Sequence, residues 1–361
     1  MRDRFAWCMT VAFRTAVVLL TAGGAAQAGK SFLLDQDKAK VFVIDAHGEV
    51  TASFATPPGP SGIAITPDCA KLYVGGYAQD TVSVFDPARG VSLGAITVGK
   101  QPRHLTITAD GAKLYTANDG SVDVSVIDTA RDAVAATIQI GDTPVGNLSG
   151  PAITPDGNKA YVSDQPSNFV AVIDTASDRV TARIEVGNKP DQLVMSPDGR
   201  KVYVANLYSR SVSVMSTATD KVVATADVGI GPDQMFVTRN GKVYAGTFGD
   251  VFSIIDPAAD KVIGTILKTD GSHGALSSDG TRLYIDGPVF CPGRSSAGII
   301  GAMCEAERKI YLFFASTTDF VSVINTEHDS FIGTVPNNDP GRLRARQWSM
   351  ARRTPENANC R

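Results

Sequence analysis

His104, in the stretch PRHLTITADG, stands six residues before the Asp of an Ala-Asp-Gly turn. Other copies of the stretch put Gly62, Gly150, Gln192, Gln234 and His273 in that place, and Ser61, Arg103, Ser149, Asp191, Asp233 and Ser272 just before it. Imidazoles, amides, a guanidinium and two carboxylates recurring at one offset could line a polar pocket. Imidazole ligates transition metals and titrates near neutrality, so His104 and His273 are the candidate metal ligands. Asp191 and Asp233 could exchange protons with a ligand, or "PDQ" could be what a duplicated repeat leaves behind. Tyr208 and Arg210 in NLYSRS, and Tyr77 in GGYAQD, complete the candidate ligand-binding set. His47 and His328 lie in turn-type stretches and read as solvated. The chain carries no GxSxG, HExxH or P-loop pattern, so no catalytic residue is assigned and no cofactor is named.

These residues must be positioned by a repeat. The run VFVID, ending at Asp45, returns as VSVFD, VSVID, VAVID, VSVMS, FSIID and VSVIN. A second series runs KLYVGG, KLYTAN, KAYVSD, KVYVAN, KVYAGT, RLYIDG and KIYLFF. Its tyrosines from Tyr73 to Tyr284 are spaced 42, 46, 42, 41 and 40 residues apart. A TPDG-type turn separates each pair of runs, and Asp-Gly suits a tight turn that needs positive φ. Valine alternating with serine or alanine has the period of a strand. Four short strands per unit of about forty residues make an antiparallel β-propeller blade.

VSVIDTA, ATIQIG and VGNKPDQLVMSPDGRKVYVANLYS resemble the YVTN-type (YncE-like) propeller repeat over residues 31–336. The resemblance implies an all-β, seven-bladed disc and says little about chemistry. Related propellers occur beside quinone, haem or copper chemistry, and some are lactonases. The family tends to have Pro-x-Gly at the mouth, kept here as Pro60-Ser61-Gly62, where glycine leaves room in a narrow channel. Counting strands predicts a ring that starts out of phase, with SFLLD as the second strand of its first blade. The missing innermost strand would come from GRLRARQWSM, 341–350. An insertion is expected at 286–309, and six or eight blades are also compatible with the count.

The first 28 residues read as a cleaved secretory signal: Arg2, Arg4 and Arg14, an apolar run too short to span a bilayer, and Ala26-Gln27-Ala28. The expected domain is 29–350, followed by an Arg-rich tail at 351–361. Removing the leader leaves 31 basic and 36 acidic residues, a net charge of −5, which disfavours nucleic acid. In an oxidising compartment Cys291 could pair with Cys304, and Cys69 with Cys360. The expectation is an exported, periplasmic or extracellular monomer with no membrane span after cleavage. It would bind an unidentified protein or small-molecule ligand and have no catalysis of its own. A redox accessory or lactonase-related enzyme using the His104/His273 mouth is the alternative, and nucleic-acid binding ranks third.

Overall fold

Each VSVID-type run pairs in antiparallel register with the tyrosine run before it, so Tyr115 faces Val126, Tyr161 faces Val172 and Tyr203 faces Val214. A computed structural model describes residues 19–21, 31–36, 38–44, 50–142, 146–248, 251–267, 274–276, 282–286, 311–312, 320–325, 330–336 and 346–347. They form seven four-stranded antiparallel sheets in chain order and no helix. The third sheet is typical: Pro102–Ile107, Lys113–Asn118, Asp123–Asp128 and Ala133–Gln139, from innermost to outermost. The two middle strands are buried, the outermost is mostly exposed, and the innermost is half-buried along its length. Innermost strands of successive sheets touch, which makes the sheets blades of a seven-bladed β-propeller.

Two assignments differ from the strand count. The innermost strand of blade one is Leu19–Thr21, paired with Ser31–Asp35, and not residues 341–350. Arg346–Gln347, within that C-terminal stretch, pairs with Tyr311–Leu312 instead. Tyr311–Leu312 of KIYLFF therefore lie outside the seven blade sheets. In blade seven Arg282–Asp286 pairs directly with Phe320–Asn325, so the excursion between them covers 287–319 rather than 286–309. The reason is register: the RLYID run already satisfies both of its edges, one with Gly274–Leu276 and the other with the VSVIN run.

Neighbouring blades are joined by a repeated polar clasp. Lys113 Nζ donates to Asp178 Oδ2 (2.7 Å) and to the Thr175 carbonyl (2.6 Å), while the Tyr115 hydroxyl donates to Asp178 Oδ1 (2.7 Å). Lys71 and Tyr73 hold Asp132 of the next blade in the same way, and Lys159 and Tyr161 hold Asp220. Lys201 takes both oxygens of Asp260, and the Tyr203 hydroxyl is left without a partner. The four aspartates all have φ between +50° and +54°, a left-handed turn conformation that Asp tolerates better than most residues. At the boundary of blades one and two both halves are exchanged. Phe32 occupies the tyrosine register and Gly90 (φ +65°) the aspartate place, and Phe54 packs there against Phe85 with ring centroids 5.1 Å apart.

A second polar contact closes the strand that bears the tyrosine. Asn118 Nδ2 donates to Asp123 Oδ1 (2.6 Å) and Ser125 Oγ (2.9 Å), and Asn206 Nδ2 to Ser211 (3.2 Å) and Ser213 (2.9 Å). Blade four has Asp164 there, with Phe169 and Ala171 opposite, and neither carboxylate oxygen has a partner although the residue is fully buried.

Two stability predictions follow from these contacts. Asp178→Ala removes the acceptor shared by Lys113 and Tyr115 and should cost about 1–3 kcal/mol in urea unfolding; an unchanged midpoint would show that the clasp does not hold the blades. Asp164→Asn combined with Ala171→Ser rebuilds the neighbours' pairing. The double variant should be about 1–2 kcal/mol more stable than the parent and exceed the sum of its single changes. Additive or destabilising behaviour would contradict this reading.

Candidate functional site

The innermost strands do not pair evenly at the mouth. Their register breaks between Pro60 and Ile63, around Arg103, between Ser149 and Ala152, between Pro190 and Leu193, and around Asp233. A bulge re-aims side chains and often marks a functional edge. The repeated sequence positions singled out above therefore coincide with bulges on one rim.

Arg103 dominates that rim. Its Nη1 donates to Asn147 Oδ1 (2.7 Å) and lies 3.4 Å from Asp119 Oδ2, and its side chain is 34% exposed. Asn147 in turn donates to Gln165 Oε1 (3.0 Å), and the backbone N–H of Leu148 donates to Asp119 Oδ1 (3.0 Å). Beside this group a cleft of about 590 Å³ is lined by Tyr77, Asp80, Lys100, Gln101, Asp119 and Gly146. Burial raises the Asp119 carboxyl above its ordinary range, against the opposing pull of Arg103. Asp191, two blades away, is raised by burial in the same way and also feels Arg103. The Tyr77 hydroxyl is raised by burial, then by Asp119, with Arg103 opposing. Four groups on blades two, three and five thus share one electrostatic environment.

His104 sits in a recess, with only part of its surface open. Burial first, and the Arg103 charge second, lower its pKa to about 3, so the ring is neutral at physiological pH. Gln192 Oε1 accepts from the Met235 N–H and so bonds across to the next blade. The Gln234 Oε1 atom is buried without a donor, and Asp233 is half-buried. Tyr208 and Arg210 stand exposed on the loop between the second and third strands of blade five. Gly62 is small for a different reason from the one expected. A Cβ there would lie 2.5 Å from the Arg103 carbonyl oxygen, so it is the adjoining strand of the next blade that excludes a side chain, and not a narrow channel.

His273, Cys291, Cys304 and Cys360 lie outside the described residues. Cys69 is buried in the first TPD-type turn, at φ +58°, where other blades have glycine. Among the described residues no group of three or more His, Cys, Asp or Glu side chains is gathered for a metal ion.

Sequence reasoning missed Asp119, Asn147 and Gln165. One signal was available: Tyr115 and Tyr161 are 46 residues apart, where neighbouring intervals are 42. The excess lies in the connection between blades three and four, where eight residues separate Gln139 from Leu148 against four between Thr97 and Pro102. That longer connection delivers Asn147 to Arg103.

Residues 31–147 match the model of a family described as lactonase, 7-bladed β-propeller. The matched stretch contains Tyr77, Arg103, His104, Asp119 and Asn147. Among solved structures, the chain is similar to a hydrazine synthase of Kuenenia stuttgartiensis, with a TM-score of 0.61, 24% identity, and 77% of this chain and 95% of that one covered. It is also similar to dihydro-heme d1 dehydrogenase NirN in complex with DHE (TM-score 0.66, 16% identity, 90% and 79% covered). A functionally unknown protein of Desulfotomaculum acetoxidans gives a TM-score of 0.62 at 15% identity, covering 85% and 95%. At these identities the likeness is one of fold. No curated protein matches the chain.

The enclosed imidazole makes a pH prediction. Its folded pKa, about 3, lies below the unfolded value near 6.5, so the unfolded chain binds the extra proton first. The stability this contributes is complete above pH 6.5 and is lost as pH falls toward 3, by at most about 1.4 kcal/mol per pH unit. His104→Gln should flatten the pH dependence of unfolding in that window. An unaltered slope, or an imidazole NMR signal that titrates near pH 6.5, would refute it.

Proposed function

We propose that this propeller captures a small carboxylate- or carbonyl-bearing molecule at the mouth centred on Arg103. The observation that carries the reading is the placement of that guanidinium. Of the six repeated mouth positions before the His104 site, Arg103 alone is basic, and the others are Ser or Asp. Asn147 and Asp119 fix its direction, about a third of the side chain stays exposed, and its partner Asp119 lines the cleft. A guanidinium offers planar, paired donors that match a carboxylate, and partial burial strengthens such a bond. Tyr77, Lys100 and Gln101 add polar groups to the cleft wall. The absence of enzyme motifs from the sequence supports a protein that binds and presents its ligand.

A second reading, hydrolysis of a cyclic ester at the same mouth, is favoured by one finding. The stretch that matches the lactonase family model is the stretch that carries Tyr77, Arg103 and Asp119. Burial raises the Asp119 carboxyl above its ordinary range, so it takes up a proton more readily than an exposed carboxylate, as a proton-transferring group must. Arg103 would then face the carbonyl oxygen as charge develops on it, while water adds to the carbonyl carbon and the ring C–O bond opens.

Calorimetric titration with short-chain carboxylates tests the binding role. Arg103→Gln should weaken their binding by roughly 10–100-fold, the worth of a charge-assisted hydrogen bond. Equal affinity in parent and variant would overturn the proposal. Turnover of simple γ- and δ-lactones by the parent, lost in Asp119→Asn, would select the hydrolytic reading over simple capture.

A further inference from the structure

The mouth has a second, oppositely charged side. Arg103 projects from the bulge of blade three, and Asp191 from the equivalent bulge of blade five, with Asp233 at the same place in blade six. Asp191 is half-buried, and its carboxyl is acted on by burial first and by the Arg103 charge second; no described residue gives it a hydrogen bond. On blade six, the Gln234 Oε1 atom is buried without a donor, whereas the equivalent Gln192 Oε1 accepts from the Met235 N–H. A buried oxygen without a donor is costly, and Gln234 Oε1 is an acceptor, as is the Asp191 carboxylate. Across the opening, the cationic side is already braced by Asn147 and Asp119. A carboxylate alone would satisfy Arg103 and leave the acceptors of blades five and six as they are.

We propose that the ligand is a short zwitterion, whose carboxylate sits on Arg103 and whose primary ammonium is held across the mouth by Asp191 with Gln234 alongside. An ammonium brings three donors and a positive charge in one compact group, which suits a half-buried carboxyl and an unmet amide oxygen. A hydroxyl brings one donor and no charge, so a hydroxy acid of the same length fits the acceptor side less well. His104, next to Arg103 on the same strand, is neutral and adds no competing cation. The fixed separation of two blades around the ring makes recognition depend on the length between the ligand's charged ends. This inference rests on the Arg103 capture role and specifies its ligand class.

The test uses the intact protein and three matched series: ω-amino acids from glycine to 6-aminohexanoate, straight-chain carboxylates of equal length, and the corresponding ω-hydroxy acids. One amino-acid length should bind at least about tenfold tighter than its carboxylate and hydroxy partners, a gap equal to about 1.4 kcal/mol. Asp191→Asn should erase that preference, so that the amino acid and the carboxylate bind alike. Arg103→Gln should weaken all three series. If carboxylates bind through Arg103 but no amino-acid length gains over them, the zwitterion is excluded and the capture role stands. A preference that survives Asp191→Asn also overturns the assignment. If no series responds to Arg103→Gln, both proposals fall together. Because the length series is run on the parent protein, a poorly folding variant does not remove the test.

Discussion

The clasp from lysine and tyrosine on one blade to aspartate on the next is the interaction on which the ring depends. It asks three things of one aspartate: a left-handed backbone, a carboxylate aimed at the preceding blade, and a place in the turn between the third and fourth strands. Only a unit of nearly constant length can meet all three in turn after turn, which is why the sequence repeats at about 42 residues. Where the carboxylate is lost, at Gly90, the tyrosine hydroxyl that would have met it is lost too, at Phe32, and aromatic packing takes over. With both changed, that boundary carries no unmatched hydroxyl or carboxylate of the clasp.

Once the clasps set the blades around an axis, the innermost strands must converge, and their even pairing breaks at the rim. The mouth is built from those breaks. Its chemistry comes from departures from the repeat: an arginine where other blades have Ser or Asp, a connection longer by four residues, and a histidine where Gly62 shows there is otherwise no space. Burial and the Arg103 charge then both act on each group there, opposed for the carboxyls and aligned for the imidazole. For Asp119 and Asp191 burial outweighs the nearby guanidinium, and both carboxyls are held high. For His104 burial and Arg103 act in the same direction, and the imidazole stays neutral. The positive charge of this region is thereby concentrated on Arg103, with Lys100 at the cleft wall.

The repeat, the strand identities and the four-stranded blades were legible in the sequence, because alternation and Asp-Gly turns are local and each blade states them again. The rim positions, including Arg103, His104, Asp191 and Gln234, could also be found by aligning the repeats, since equivalent positions in a ring share a level. Several features were decided only in three dimensions. Lys113 and Asp178 are 65 residues apart, and their pairing is a contact between blades that no period announces. The partners of Arg103 come from the end of the second strand and from the next blade's entry loop, so that Asp119 and Asn147 meet only after closure. The innermost strand of blade one and the pairing of Arg346–Gln347 likewise turn on which free edge a segment reaches first in register. Local pattern fixes what each segment can become, while the balance of burial against charge depends on neighbours that folding supplies. That balance made His104 neutral and raised the two carboxyls, and only the tertiary structure could decide it.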